Sequence, residues 1–177
     1  YIATVARGEG GTATYGKRYI FSRIRQSQLS AQVRLNYSFT PDLSLEVYAE
    51  PFAASGRYSH FGELAAPGSA DLRLYGRDGT TITRQAGPDG STVYTVTDGA
   101  DQFSLVRDDF NVVSFNSNVV LRWEWRPGST FFFVWQQNRS GVEPNGELVG
   151  ARRFFDSFSA QGINYLAAKV TYWIPVN

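Results

Sequence analysis

Three observations predict an all-β chain folded as an antiparallel up-and-down meander. Apolar and polar residues alternate with period two over stretches of eleven residues, the pattern of strands with one greasy face. Very short turns and long polar connections separate these stretches in turn. Aromatic residues make up 15% of the chain, as 4 Trp, 10 Tyr and 13 Phe, and six of them sit beside the short turns or near the C-terminus.

The first main strand is predicted over about residues 19–40. Within it Leu29, Ala31, Val33, Leu35, Tyr37 and Phe39 alternate with Ser30, Gln32, Arg34, Asn36 and Ser38. Thr40-Pro41-Asp42 makes a tight turn, because Pro fixes φ and Asp bonds its own backbone. The second strand, about 43–54, puts Leu43, Leu45, Val47 and Ala49 opposite Ser44, Glu46, Tyr48 and Glu50. Pro51 has no N–H and is expected to break that ladder near its far end. Residues 55–111 read as a long outer loop carrying small hairpins, punctuated by Asp78-Gly79, Asp89-Gly90 and Asp98-Gly99.

The third strand, about 112–126, groups Val119, Leu121, Trp123 and Trp125 against Asn116, Asn118, Arg122, Glu124 and Arg126. Pro127-Gly128 turns the chain into a fourth strand, about 129–139, whose outer set is assigned to Phe131, Phe133 and Trp135. A second outer loop covers about 140–162. The fifth strand, about 163–176, alternates Leu166, Ala168, Val170, Tyr172, Ile174 and Val176 with Ala167, Lys169, Thr171 and Trp173. Residues 1–177 are read as a single segment of β-structure.

Alternating strands serve two architectures. In a soluble sandwich the apolar face meets a packed core, and in an outer-membrane barrel it meets lipid while the polar face lines a wet lumen. Four features favour the barrel. The stretches have the ~9–11 residues of a tilted spanning strand, whereas ordinary strands centre on about 5–6. Short turns lie on one side and long loops on the other. Tyr37, Phe39, Trp123, Trp125, Phe131 and Tyr172 gather at the short-turn end as one interfacial girdle. Five strands of alternating direction leave the C-terminus on that same side.

On this reading Leu29, Val33, Leu35, Leu45, Val47, Leu121 and Val170 face lipid. Arg34, Glu46, Glu50, Arg122, Glu124, Arg126 and Lys169 face the lumen, where their mixed signs either tune a channel or plug it. Five strands are fewer than the eight of the smallest barrels. The chain is therefore expected to be part of a larger transmembrane barrel, or one chain's share of a multi-chain barrel. The chain has no initiator Met, which favours a piece of something longer.

Other chemistry finds little footing. A net charge of +1 makes no electrostatic case for nucleic acid. The absence of Cys excludes disulfides, zinc–thiolate sites and thiol catalysis. The longest unbroken apolar run, Phe131 to Trp135, falls far short of the ~20 residues of a spanning helix. His60 is the only histidine, so it has no second imidazole for a metal site and reads as a solvated loop residue. Asp108 and Asp109 adjoin, but neighbours on an extended chain point apart, and a strand-edge or turn role fits better than acid–base work on glycosides. The Asp-Gly pairs lack the dense acidic spacing of a calcium loop. Tyr58, Tyr75 and Tyr94 have faces for sugar stacking, yet cross-strand packing is the plainer role. No cofactor, metal or catalytic site is expected in the chain.

"TYGKRYIFSRIRQSQLSAQVRLNYSFTPDLSLEVYAEPFAASGRYSHFGEL", "YGRDG", "VVLRWEWRPGSTFFFVWQQ" and the closing "KVTYWI" resemble the C-terminal region of a large family of Gram-negative outer-membrane proteins. The pairing of "SFTPDLSLEVYAEPF" with "LRWEWRPGST" is the specific part, and the likeness is weakest over residues 138–159. Members of that family carry an N-terminal domain like carbohydrate-binding family 9, followed by a β-barrel. The resemblance implies the last segment of a porin-like barrel in the outer membrane, with a structural or transport role linked to carbohydrate binding or uptake. It implies outer-membrane lipid, the barrel-assembly machinery, further strands and a glycan ligand as partners. The ending Val176-Asn177 departs from the terminal Phe common in barrel-assembly signals. The alternatives are a carbohydrate-binding module, a soluble β-sandwich, or part of a glycan-processing surface hydrolase. Some members are labelled hydrolases, although the resemblance carries no catalytic motif over to this region.

Overall fold

The computed structural model of the chain describes residues 1–7, 14–88 and 91–174. Among these residues are eleven strands: β1 (Ala3–Ala6), β2 (Lys17–Ser30), β3 (Val33–Thr40), β4 (Leu43–Leu64), β5 (Leu72–Leu74), β6 (Thr80–Ala86), β7 (Thr92–Asp98), β8 (Asp101–Val106), β9 (Phe110–Arg126), β10 (Ser129–Glu143) and β11 (Gly162–Thr171). One short helix, α1 (Ala151–Asp156), leads into a 3-10 turn at Ser157–Ser159. The protein is all-β and its sheets are antiparallel. The larger sheet has the order β1-β2-β4-β9-β10-β11, with β3 and β5 also paired to β4, and β6-β7-β8 form a separate sheet.

Two compact units divide the chain. The first comprises Tyr1–Gln26, Ser55–Phe110 and Pro144–Leu148, and the second Ser27–Ala54, Asn111–Glu143 and Val149–Asn177.

The first unit has a conventional core of Ile20, Phe61, Tyr75, Tyr94, Val96 and Leu105. Alternation on β7 sends Thr92, Tyr94 and Val96 inward, and Val96 is paired to Ile82 on β6 and Phe103 on β8. The hairpins expected in this stretch are present. Asp98 and Asp101 face each other across Gly99-Ala100, and Gly99 takes φ 61°, which a tight hairpin turn requires. Asp78 and Gly79 are also left-handed, with φ 51° and 80°, and turn the chain into β6. The expected turn at Asp89-Gly90 lies outside the described residues, as does Val176.

Pro51 does not end its strand. β4 continues through it to Leu64, and the interruption falls on the opposite strand instead. Pro51 still accepts a hydrogen bond at its carbonyl from the Ala31 N–H at 3.1 Å, but it has no N–H to return. The expected first strand accordingly divides into β2 and β3 around residues 31–32. The fifth strand also stops earlier than expected, at Thr171. Thr171 pairs with Thr130 near the start of β10, and beyond that point the Trp173 N–H turns to the Ser129 hydroxyl at 3.1 Å.

Candidate functional site

In the second unit, antiparallel register collects side chains into rows, because directly paired residues project from the same face. Three consecutive rows across β9, β10 and β11 are apolar: Val119-Trp135-Leu166, Leu121-Phe133-Ala168 and Trp123-Phe131-Val170. The hairpin of β3 and β4 adds Val33-Ala49, Leu35-Val47 and Tyr37-Leu45. The Glu124 N–H donates to the Asp42 carbonyl at 2.8 Å and sets β9 beside β4. With the whole chain present the β3 and β11 members, Trp123 and Trp135 are exposed, Leu35 by 48%, Trp123 by 48%, Val170 by 64% and Leu166 by 67%, whereas Val119, Phe131, Phe133 and Ala49 are half-exposed. Leu29 is exposed as well, while Leu45, Val47 and Leu121 are partly exposed.

The opposite face is polar over β3, β4 and part of β9. Arg34, Asn36, Glu46, Tyr48, Asn118 and Val120 line a shallow depression of about 250 Å³. Arg34 is paired to Tyr48, so Glu46 and Glu50 lie diagonal to it. Its guanidinium sits 5.3 Å from the Tyr48 ring centre. The Tyr48 hydroxyl accepts from Gln32 Nε2 at 2.9 Å and donates to Glu50 Oε2 at 2.6 Å. Arg122 bonds Glu124 at 2.9 Å. Arg122, Phe132 and Lys169 form one row, so this face is apolar in places toward β11.

Arg126 departs from its expected place. Thr130 pairs with Glu124, but Ser129 pairs with Arg126, so Trp125 is an extra residue in a β-bulge. The bulge shifts the phase and turns Arg126 to the face of Tyr172, where its guanidinium lies 4.2 Å from the ring centre. A second bulge at Ser38/Thr40 makes Phe39 the extra residue. Phe39 packs edge-on against Tyr37 at 4.9 Å, and Trp125 against Trp123 at 6.3 Å.

The apolar face ends in a row of polar side chains. Ser117, Gln137 and Asn164 form a polar row directly after the three apolar ones. Ser117 Oγ donates to Gln137 Oε1 at 3.1 Å, and Gln137 Nε2 to Asn164 Oδ1 at 2.9 Å. The signal was available: all three occupy positions whose parity demands an apolar residue.

Residues weighed for catalysis have structural partners in the first unit. His60 lies within β4, exposed, at φ 55°, with Nδ1 3.0 Å from Ser59 Oγ. Asp108 accepts from the Thr92 N–H, whereas Asp109 accepts from the Tyr58 N–H at 2.8 Å, so the two carboxylates point apart. Tyr75 and Tyr94 are buried in the core. The Arg107 guanidinium covers the Tyr58 ring at 4.7 Å.

The same unit holds a six-member ion cluster. Glu63 bonds Arg7 at 2.7 Å, Arg18 at 3.1 Å and Arg73 at 3.2 Å. Asp98 bonds Arg18 at 2.7 Å and Arg73 at 2.8 Å, and Asp101 bonds Arg18 at 2.8 Å. The hydrogen bond from Arg73 is the main cause holding the Asp98 carboxyl down at about 2, against the opposing effect of burial and with further help from Arg18. Burial works against the charge on Arg18, but bonds to Asp101 and Asp98 outweigh it and raise its pKa. Three guanidiniums thus meet three carboxylates, an arrangement that closes upon itself. Among the described residues, no group of three or more His, Cys, Asp or Glu is placed to hold a metal. No described helix is long and apolar enough to cross a membrane.

No curated protein and no solved structure matches the chain. A family model described as Domain of unknown function (DUF5916) matches residues 4–177, and the chain belongs to that family.

Proposed function

We propose that the second unit is part of the wall of a transmembrane β-barrel in the outer membrane of a Gram-negative bacterium. The single observation that carries this reading is the uncovered apolar face. A one-layer sheet normally buries its greasy side against a helix or another sheet. Here rows of Leu, Val, Phe and Trp are exposed or half-exposed across β3, β4, β9, β10 and β11, backed by a face that is polar over β3, β4 and part of β9. Ordinary water-exposed apolar patches reach only a few hundred Å². Hydrocarbon tails are the partner that suits such a face, and a wet lumen suits the other.

The sheet edges support the same reading. Among the described strands, β11 pairs only with β10 and β3 only with β4. Neither edge can face lipid with its backbone unpaired, so further strands must close the sheet. Those strands come from a longer chain or from other copies. The role is structural and of the transport class. Its connection to a glycan is proposed from the resemblance to barrels that follow a sugar-binding-like domain.

The test compares adjacent substitutions on opposite faces, in the full-length protein that carries this chain. Leu35→Arg should cost ~2–4 kcal/mol if residue 35 lies near the bilayer midplane, and Arg34→Leu much less. Folding is read by heat-modifiable migration after insertion into vesicles. Equal losses from the two variants, or a compact monomer in detergent-free buffer, would overturn the barrel.

A further inference from the structure

We propose that the polar row Ser117-Gln137-Asn164 marks where the hydrocarbon layer ends on the side away from the short turns, and that α1 and the 3-10 turn beyond it anchor the chain in the lipid headgroup layer. This rests on the barrel reading. It adds a depth and a second lipid contact, at the end opposite the girdle of Trp123, Phe131 and Tyr172.

The boundary follows from the order of rows. Three are apolar, and the next consists of hydroxyl and amide groups bonded to one another. Ser117 is itself buried, but the Gln137 and Asn164 amides reach the surface, and such groups are disfavoured in hydrocarbon and at home among headgroups. Trp135 occupies the last apolar row, and its indole N–H reaches across to Asn164 Oδ1 at 3.3 Å. An aromatic body with its polar tip turned outward is the arrangement favoured at a membrane–water interface. The spacing also fits. Tyr172 follows Asn164 by eight positions, or about 27 Å of extended chain. At a tilt of ~40° that is about 20 Å along the membrane normal, close to the apolar band of about 25 Å on known barrels.

The anchor lies past this row on the same face. Phe115 belongs to the next row, paired to Arg139, and Phe158 packs on it with ring centres 4.6 Å apart. Phe155 stacks on Phe158 at 6.2 Å. Phe155 is 62% exposed and Phe158 42% exposed. Arg152, beside them on α1, is exposed, whereas Arg153 is held by Glu143 at 2.8 Å and by Asn111. Two open Phe rings next to an available guanidinium match a surface that is greasy below and anionic above.

This chain contributes no Cys, so single-cysteine spin labels can be placed in it once any Cys elsewhere in the full-length protein has been replaced by Ser. Labels at Ala168, Asn164 and Phe155 of the full-length protein in phospholipid vesicles are compared for collision with oxygen, which favours hydrocarbon, and with a water-soluble nickel chelate. Ala168 should be oxygen-rich and nickel-poor, Asn164 should sit at the crossover, and Phe155 should show intermediate values of both. Asn164 as deep as Ala168 overturns the boundary. Phe155 as open to nickel as a label free in water overturns the anchor. Nickel access at Ala168 would instead defeat the barrel reading itself. If a labelled variant fails to insert, a variant keeping Trp135 as its only Trp is quenched with brominated lipids. Stronger quenching from mid-chain than from near-headgroup bromine would again overturn the boundary.

Discussion

Arg18 reaches both oxygens of Glu63 with one guanidinium nitrogen, at 3.2 and 3.1 Å, and both residues are almost sealed from water. Two buried charges in this relation depend on one another, because removing either leaves the other desolvated and under-paired. Glu63→Gln should therefore destabilise the first unit by about 3 kcal/mol. Hydrogen exchange should speed up in β7 and β8, whose hairpin turn carries Asp98 and Asp101. Unchanged protection there would mean the cluster contributes little.

The depressed Asp98 carboxyl makes that unit acid-sensitive. Its pKa is about 2 in the folded chain against an ordinary 3.8. A lowered carboxylate pKa gives stability that is full above about pH 4 and is lost as pH falls toward 2. The amount at stake is about 2 kcal/mol. Unfolding followed by near-UV circular dichroism should show this slope, and Asp98→Asn should flatten it while lowering stability at neutral pH. A variant that keeps the wild-type slope would assign the acid response to another group.

Ala168 and Lys169 are adjacent on β11 and belong to opposite faces, since they pair with Phe133 and Phe132. On the proposed barrel, Ala168→Arg should cost ~2–4 kcal/mol of folding into vesicles, the depth-dependent penalty of a charge toward lipid. Lys169→Ala should cost under about 1 kcal/mol. Urea titration in vesicles measures both, and a reversed order would mean that the faces are exchanged.

The bulge beside Pro127-Gly128 has its own test. Arg126 over Tyr172 should couple by about 0.5–1 kcal/mol in a double-mutant cycle of Arg126→Ala with Tyr172→Leu. The same cycle between Arg122 and Tyr172 should be additive. Coupling at Arg122 in place of Arg126 would remove the bulge from the account.

The long strands of the second unit were legible because a two-residue side-chain period leaves an unmistakable trace when one face is greasy. Leu29 to Phe39 shows it without an exception, and the structure places strand at both ends of that stretch. Three things were hidden. Arg126 has the parity of Arg122 in sequence, and only the extra residue at Trp125 changes its face. β4 beyond Ala54 reads as loop because it is rich in Ser and Gly. Gly56, however, lies against the Phe110 ring, where a side chain would collide, so its smallness serves packing. The ion cluster joins Arg18 to partners 45, 80 and 83 positions away, a range over which no local pattern operates. The polar row was visible in principle, but Ser117, Gln137 and Asn164 gain meaning only when three strands are set in register.

Among the described strands the outer rims of β3 and β11 have no partner, and on the proposed barrel this bears on how the chain survives before it reaches a membrane. A ribbon with two sticky margins and one oily side has no safe resting form in water. If the barrel proposal holds, such a ribbon would need a holding escort until its margins are closed. Released alone at high concentration, copies should stitch margin to margin into insoluble sheets.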